Sequence, residues 1–483
     1  MSRTAATVRP VPIPSPIRGL DRFRRARPVA WRTAGYTIAA VFATGVGAFA
    51  GQEVQASWGR WAAGGYVLAA LVTSLWRHTA APFTATAVAL AGAVVAPLVW
   101  MVTGGRGMST VGMGPLTVIK RAGRLLLESG SPYLTMDRLT GPESLNPYGP
   151  PLAVFGLPHA LGLDGWAGNP RTWFVLSAVL LGYAALRRVH ADRPLWRLAA
   201  AFASPVLALP VVLGSTDLPV LGLLALGIAL LSRALPHHPP AGTATGRPGD
   251  RPTAAVPGPV AGPAPGLPDR PPTTAAPGPQ ADRAATSLDT LILAGAALGV
   301  ACAMKATALP AALVLIPLLL ARAGWRPALT FATSGALVAV ASAALTAPAM
   351  LADSRDLVHN VVMFPLRLTA QQTTAASPMP GQVVAADGSG GRLLMIGLLA
   401  AAMAAAVAYL WRRPARTAPA AVMQMAVIWS LIFTLAPSTR YGYFVYPLLM
   451  LGLRNMFRDR GPSREQRDEP RPAHATSIAS ISA

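Results

Sequence analysis

Residues 82–103 read PFTATAVALAGAVVAPLVWMVT, a run of apolar and small side chains without a single charge. A helix of this length, rising about 1.5 Å per residue, crosses the roughly 30 Å hydrocarbon core of a bilayer. A helix also satisfies its backbone polar groups internally, as lipid requires. The stretch therefore predicts a transmembrane helix.

Similar apolar runs recur along the chain, which is 53% hydrophobic and only 12% charged. A water-soluble surface rich in Lys and Glu could not produce this balance. The sequence predicts an all-α, polytopic helical membrane protein with about twelve transmembrane helices. The expected spans are 34–50, 61–76, 82–103, 172–187, 197–213, 218–232, 289–304, 306–322, 327–348, 393–410, 418–436 and 441–454.

The net charge of +22 follows the predicted topology. Most of the Lys and Arg residues fall in the termini and in alternate loops of one side, which the positive-inside rule assigns to the cytoplasm. A basic excess with this distribution is typical of membrane proteins, and it argues against nucleic acid as a partner. We expect a multi-pass plasma-membrane protein with both termini cytoplasmic and a retained basic N-terminus.

The domain organisation follows from composition. Residues 234–287 are rich in proline, glycine, alanine and threonine, lack hydrophobic periodicity and predict a disordered cytoplasmic linker between two membrane halves. Both halves carry a long polar outer segment, where functional residues are most expected. The predicted divisions are a basic N-terminal segment 1–32, a first membrane half 33–233 with outer loop 104–171, the linker 234–287, a second half 288–455 with outer loop 350–392, and a disordered tail 456–483.

An amphipathic helix is predicted over residues 115–130 in the first outer segment. Its apolar face suggests a helix lying along the bilayer, with Lys120 and Arg121 near lipid phosphates. The same cations could instead be simple snorkelling anchors. The sequence NPYGPP at 146–151 follows, a rigid turn that carries Asn146 and the interfacial aromatic Tyr148.

Two charged residues interrupt apolar runs. Asp217, in GSTD at 214–217, lies near the outer surface, where a carboxylate is either functional or part of an ordinary turn that caps the next helix. Lys305, in MKATALP at 304–310, needs an anion at this depth. That anion is either Asp217 or the phosphate of a lipid-linked substrate.

The last span begins with PSTRYGYFVYP at 437–447, which places Arg440 beside Tyr441 and Tyr443. An Arg among aromatic rings can bind phosphate bidentately or line a sugar pocket. An aromatic belt with one anchoring Arg is the alternative.

Several kinds of chemistry have no motif in this sequence. It contains no Walker A sequence, no HExxH, no paired His ligands outside the linker and no nucleophile elbow. Cys302 is the only cysteine, so neither an intrachain disulfide nor a thiolate cluster can form. We therefore predict no metal-ligating residues and no cofactor, and the sequence leaves a requirement for a divalent metal open.

The order of these motifs carries a resemblance. The sequences LLESGSPY (126–133), NPYGPP, GSTD, MKATALP, ASPMPG (376–381) and STRYGY (438–443) follow one another between about residues 104 and 454. This pattern resembles the polyprenol-phosphate-mannose-dependent mannosyltransferase-like family of actinobacterial type, which has the GT-C fold. The resemblance implies a polyprenyl-phosphate sugar donor and an envelope glycan or glycolipid acceptor at the outer face.

The resemblance also implies roles for individual residues. An inverting transfer needs a base for the acceptor proton and cations for the leaving phosphate. The cations would be Lys305 and Arg440, with Lys120 and Arg121 as further candidates, and the aromatic and amide groups would line the substrate site. The substrate-binding residues are then expected to be Lys305, Arg440, Tyr148, Asn146, Lys120, Arg121, Tyr441 and Tyr443.

One feature departs from the family. Its members place an acidic residue just before the amphipathic helix, whereas residues 109–115 here read STVGMGP. The candidate bases are therefore Asp217 and Glu143, with Glu53 a weaker one. The alternative function is a non-catalytic or transport-type membrane protein that binds a lipid-linked envelope component.

Overall fold

The computed structural model describes residues 26–76, 79–103, 114–235, 280–371, 373, 375 and 377–458, and their regular secondary structure is helical. No β-strand occurs in these ranges. The predicted all-helical, polytopic class is confirmed. Most of the predicted linker, most of the N-terminal segment and nearly all of the predicted tail lie outside the described residues, as does 109–113 of the departing stretch.

The chain divides into two compact units. The first comprises residues up to 223, together with Ala303–Ala306 and Ser342–Thr374. Its main helices are Pro28–Phe49, Glu53–Leu75, Ala81–Leu90, Ala96–Thr103, Gly114–Ser129, Pro170–Arg188, Pro194–Phe202 and Pro205–Leu213.

The second unit contains the remaining helices of the described chain. Leu309–Ala323, Pro380–Ala386, Ser389–Arg412, Ala418–Leu435 and Val445–Arg458 belong to it entirely. Three further helices contribute residues to both units: Asp217–Ala234, Gln280–Met304 and Trp325–Thr346.

Small residues allow close helix packing in the first unit. Gly59 leaves no room for a Cβ atom against the backbone of Gly47, and a Cβ on Gly65 would lie 2.7 Å from the Cα of Gly92. The buried indole of Trp58 fixes the same region by donating to the Ala93 carbonyl at 2.8 Å. This agrees with the alanine- and glycine-rich composition, because such residues let membrane helices approach closely.

In the second unit an aromatic cluster joins three elements. The Trp429 indole donates to the Thr307 carbonyl at 2.7 Å, and the Thr307 and Tyr446 hydroxyls share a hydrogen bond of 3.0 Å. The Trp429 and Tyr446 ring centroids lie 5.3 Å apart. These contacts tie the start of Leu309–Ala323 to the last two helices of the described chain.

Within the described ranges, six helices are long and apolar enough to cross a membrane, and a bent pair would make a seventh. The six are Ala81–Met101, Asp217–Ala234, Ala306–Ala323, Trp325–Thr346, Ser389–Arg412 and Ala418–Leu435. Leu288–Met304 is a shorter apolar helix. A total of twelve spans stays a prediction.

The segment predicted as one span at 197–213 consists of two helices bent by 71°. Pro194–Phe202 ends where the Ser204 side chain bonds the Ala201 carbonyl, and Pro205 opens the next helix. Proline lacks the N–H that a continuous helix needs and readily starts a new one.

The structure also differs from the predicted linker boundary. Helix Gln280–Met304 begins inside the range 234–287 that composition assigned to the linker.

Candidate active site

The turn that carries Asp217 is built by a glycine and a hydroxyl. Helix Pro205–Leu213 ends at Gly214, whose φ of 69° is left-handed and suits glycine. The Ser215 hydroxyl donates to Asp217 Oδ2 at 2.8 Å and accepts the Asp217 N–H at 3.2 Å. Asp217 therefore begins the next helix with its carboxylate in a fixed orientation, 5% exposed.

Lys305 lies in a second turn of the same unit, where helix Gln280–Met304 has ended. The Lys305 side chain is 7% exposed, and its Nζ lies 2.5 Å from Asp217 Oδ1. The structure thus gives Lys305 one of its two expected partners, the carboxylate. Taking two ions out of water is costly, and mutual neutralisation offsets that cost.

The NPYG turn packs directly on the Lys305 turn. The Gly149 N–H donates to the Met304 carbonyl at 2.9 Å, and a Cβ on Gly149 would overlap the Ala303 carbonyl oxygen. The Lys305 Nζ lies 5.3 Å from the Tyr148 ring centroid, within cation–π range. Glycine at 149 is therefore required for the close approach that brings Tyr148 to the lysine.

Buried hydrogen bonds hold the NPYG turn from inside. Asn146 Oδ1 accepts the Tyr148 N–H at 3.2 Å, and its Nδ2 donates to the Pro132 carbonyl at 3.2 Å. The Tyr133 hydroxyl donates to the Tyr148 carbonyl at 2.7 Å. Burial raises the pKa of Tyr133, so the hydroxyl remains a donor throughout the physiological range.

Asn360, from the second outer segment, completes this support and was not foreseen from the sequence. Its side chain is fully buried, and Oδ1 accepts the Asn146 N–H at 2.7 Å while Nδ2 donates to the Asp356 carbonyl at 2.8 Å. It lies in a π-helical segment, Val358–Met363. No sequence signal links it to Asn146, because the contact bridges two segments that lie 214 residues apart in the chain.

The predicted amphipathic helix exists as Gly114–Ser129. Arg121 donates Nη1 to the Glu143 carbonyl at 2.7 Å and Nη2 to the Ser144 carbonyl at 2.9 Å. Burial lowers the pKa of Arg121, which nevertheless stays charged. The Glu143 side chain is exposed and Lys120 is half-buried. The substrate roles of these residues and the helix's position at the bilayer stay predictions.

Arg171, at the start of helix Pro170–Arg188, is a second buried cation that sequence reasoning missed. Its side chain is 2% exposed. A Cβ built on Gly214 would lie 3.1 Å from Arg171 Nε, so the guanidinium packs on the turn that leads to Asp217. The sequence places this arginine at a span boundary, where arginine is ordinarily a surface anchor.

The remaining predicted residues lie in the second unit. The Ser377 N–H donates to the Thr439 carbonyl at 3.0 Å, and the Tyr441 N–H donates to the Ser377 hydroxyl at 3.2 Å. These bonds fix the backbone on both sides of Arg440, which is half-buried. Tyr441 is exposed on this segment. Convergence of Arg440 with Asp217 and Lys305 stays a prediction.

Tyr443 belongs to the aromatic cluster of the second unit. Its ring centroid lies 5.4 Å from that of Phe433, with the two planes tilted. Phe433 also lies 5.9 Å from the Tyr446 ring centroid. Packing against Phe433 therefore gives Tyr443 a structural role, whatever substrate contact it makes.

Residues 281–438 match the family model described as glycosyltransferase family 87. The matched third of the chain includes Lys305 but neither Asp217 nor the NPYG turn. No curated protein and no solved structure matches the chain. The family 87 match supports a GT-C-type membrane glycosyltransferase, and with it a sugar donor, an acceptor and the bilayer as partners.

The described side chains include no group of three or more His, Cys, Asp or Glu that could hold a metal ion. The charged and polar groups of the first unit offer chemistry of their own. A carboxylate, an ammonium and an aromatic ring meet where three turns pack together. Such a set can take a proton, bind an anion and stack on a sugar ring.

Proposed function

We propose that this protein is a membrane glycosyltransferase that moves a sugar, mannose by resemblance, from a polyprenyl-phosphate donor to an envelope glycan or glycolipid. The reaction takes place on the outer face of the plasma membrane, with both termini cytoplasmic. The observation that carries this proposal is the buried Asp217–Lys305 pair in a chain whose residues 281–438 match a glycosyltransferase family. An ionisable pair at membrane depth is a functional-site hypothesis by default.

Asp217 acts as the general base in this proposal. The acceptor hydroxyl oxygen forms a bond to the anomeric carbon as the bond from that carbon to the phosphate oxygen breaks. The bonding electron pair leaves with the phosphate, and the acceptor proton passes to the Asp217 carboxylate. In this assignment Asp217 takes the place of the acidic residue that the resembled family has before the amphipathic helix. Glu143 is the second candidate for the base, because its exposed carboxylate can reach acceptors in solvent.

Lys305 stabilises the negative charge that develops on the leaving phosphate. In the structure its ammonium is bound to Asp217. An arriving phosphate competes with Asp217 for that ammonium, and the exchange frees the carboxylate to accept a proton. Donor binding and base activation are therefore coupled through one lysine. Arg440 is proposed as a further cation for the same phosphate.

Sugar-binding contacts are proposed for the aromatic and amide groups. Tyr148 already lies against Lys305, and its ring offers an apolar face for a sugar. Asn146 acts by holding that ring, since its side chain is committed to Pro132 and Tyr148. Tyr441, Tyr443, Lys120 and Arg121 are proposed as contacts of the donor or its lipid.

The test supplies labelled polyprenyl-phosphate mannose to membranes with and without this protein. We expect labelled envelope product only when the protein is present, and its loss in Asp217→Asn. The matched control is Asp192→Asn, because the Asp192 carboxylate is almost fully exposed and should not affect transfer. Label incorporation that does not depend on the protein contradicts the proposal. Movement of the lipid-linked sugar across proteoliposomes without a new glycosidic bond favours the transport-type alternative.

A further inference from the structure

Among the residues that the structure describes, the buried guanidinium of Arg171 has no hydrogen-bond partner. All three of its guanidinium nitrogens are shielded from solvent, and none has a hydrogen-bond partner among the residues that the structure describes. Its backbone, by contrast, is well placed, because the Arg171 N–H donates to the capping Asn169 side chain at 3.0 Å. The helix beginning at Pro170 is thus properly formed, and the missing interaction concerns the guanidinium alone.

An unpaired buried guanidinium is costly. Arginine cannot lose its proton in a protein, and it carries five N–H donors that burial deprives of water. Buried charges are normally paired, and each unmet donor adds a desolvation penalty. A group in this state gains strongly from any anion that reaches it.

The location of Arg171 connects it to the candidate active site. The Cβ position of Gly214 lies 3.1 Å from Arg171 Nε and 2.9 Å from a methyl group of Leu116. Gly214 opens the turn that ends at Asp217. The guanidinium therefore lies behind this turn, beside an apolar side chain, and the N-terminus of helix Pro170–Arg188 adds a favourable potential for an anion.

We propose that Arg171 binds a phosphate group, and, on the basis of the proposed function, that of the polyprenyl-phosphate donor. The planar fork of arginine bonds two phosphate oxygens at once, whereas Lys305 offers a point charge that is already bound to Asp217. Because the nitrogens are shielded, the turn at Gly214 must shift to admit the phosphate. Phosphate binding and movement of the Asp217 turn then occur together.

This role predicts opposite effects of one substitution on stability and on binding. Removing a partnered arginine would weaken the protein, since its partner would be left buried. Removing an unpartnered one relieves a buried charge. Arg171→Met should therefore raise the melting temperature of the ligand-free protein while it lowers the affinity for phosphate by about 10-fold or more.

The experiment measures the melting temperature of the purified full-length protein in detergent against increasing polyprenyl phosphate. Uncharged polyprenol and inorganic phosphate form parallel arms. We expect polyprenyl phosphate to raise the melting temperature of the wild type and polyprenol to leave it unchanged. A rise with inorganic phosphate as well would assign the site to the phosphate group alone. In Arg171→Met the midpoint concentration should increase about 10-fold.

Two further variants make the result unambiguous. Arg187→Met is the matched control, because Arg187 is exposed on the same helix and should keep wild-type affinity. Arg171→Lys keeps the charge without the fork and should bind between the wild type and Arg171→Met. This variant decides the matter if Arg171→Met does not fold.

The proposal is overturned if the Arg171 variants bind polyprenyl phosphate as the wild type does, or if polyprenol stabilises the protein equally well. An Arg171→Met variant that folds but melts below the wild type without ligand also contradicts it. Because no sugar is present, this outcome is separate from the transfer reaction. Arg171-dependent phosphate binding in a protein that makes no glycosidic bond would remove the proposed function and leave this inference standing.

Discussion

Lys305 and Arg171 are both buried cations of the first unit, but their surroundings differ. Lys305 has a carboxylate at 2.5 Å and the Tyr148 ring at 5.3 Å. Arg171 has no hydrogen-bond partner for its guanidinium among the described residues, although it packs on the turn that leads to the same carboxylate. Among the described residues, two buried cations thus lie close to one buried carboxylate. We infer that the second cation is held for a ligand.

The largest effect is expected from removing the carboxylate that neutralises Lys305. Asp217→Asn leaves the Lys305 ammonium buried without its carboxylate and should lower the free energy of unfolding by about 3–5 kcal/mol. Adding Lys305→Met removes the stranded charge, so the double variant should regain most of this loss. Thermal melting of the purified variants measures both effects. A single variant that melts like the wild type would show that the pair does not stabilise the site.

The next effect concerns the turn that covers Lys305. A methyl group at Gly149 overlaps the Ala303 carbonyl oxygen, so Gly149→Ala should cost about 3 kcal/mol, at the upper end for overpacking. Gly141→Ala is the matched control, since nothing lies within 4 Å of the added methyl group. Equal melting temperatures for the two variants would contradict the close approach of the NPYG turn to Lys305.

A smaller effect is expected at Asn360, which holds the NPYG turn from the second outer segment. Asn360→Ala leaves the buried N–H of Asn146 without an acceptor, and an unmet buried donor costs about 2 kcal/mol. The variant should melt below the wild type and transfer sugar more slowly, because the Tyr148 ring loses its support. If the melting temperature and the rate of sugar transfer both stay at the wild-type values, the NPYG turn does not need Asn360 to hold Asn146 in place.

The smallest effect is expected for Tyr133→Phe. The substitution removes the 2.7 Å hydrogen bond to the Tyr148 carbonyl and keeps the ring, so the expected loss is about 1 kcal/mol. Denaturant titration of the purified protein measures it. A loss as large as that of Gly149→Ala would indicate that Tyr133 supports more than this one carbonyl.

Much of this comparison could be predicted from the sequence. Lys305 and Asp217 each interrupt an apolar run, and an isolated ion at that depth needs a counter-ion, so their pairing was one of two stated alternatives. The amphipathic pattern likewise predicted the helix Gly114–Ser129. The helix follows from local periodicity, and the ion pair follows from charges placed within apolar runs. Both patterns can be seen in a single sequence.

Arg171 and Asn360 could not be predicted in the same way. Arg171 looks like one of many arginines at helix ends, and only packing on Gly214 shows that its guanidinium is buried. Asn360 contacts Asn146 from a segment 214 residues further along the chain, and a contact over that distance leaves no periodic signal in a single sequence. The bend between Pro194–Phe202 and Pro205–Leu213 was also missed, because hydropathy averages over the proline that breaks the helix.

The most direct test of the central claim is sugar transfer by the charge-neutral variant Asp217→Asn with Lys305→Met. This variant has lost the proposed base and the phosphate-binding ammonium but should remain folded, since neither member of the pair leaves the other buried without its counter-ion. With labelled polyprenyl-phosphate mannose in reconstituted membranes, we expect melting near that of the wild type and no labelled product. Transfer at the wild-type rate by this folded variant would show that the buried pair only supports the structure.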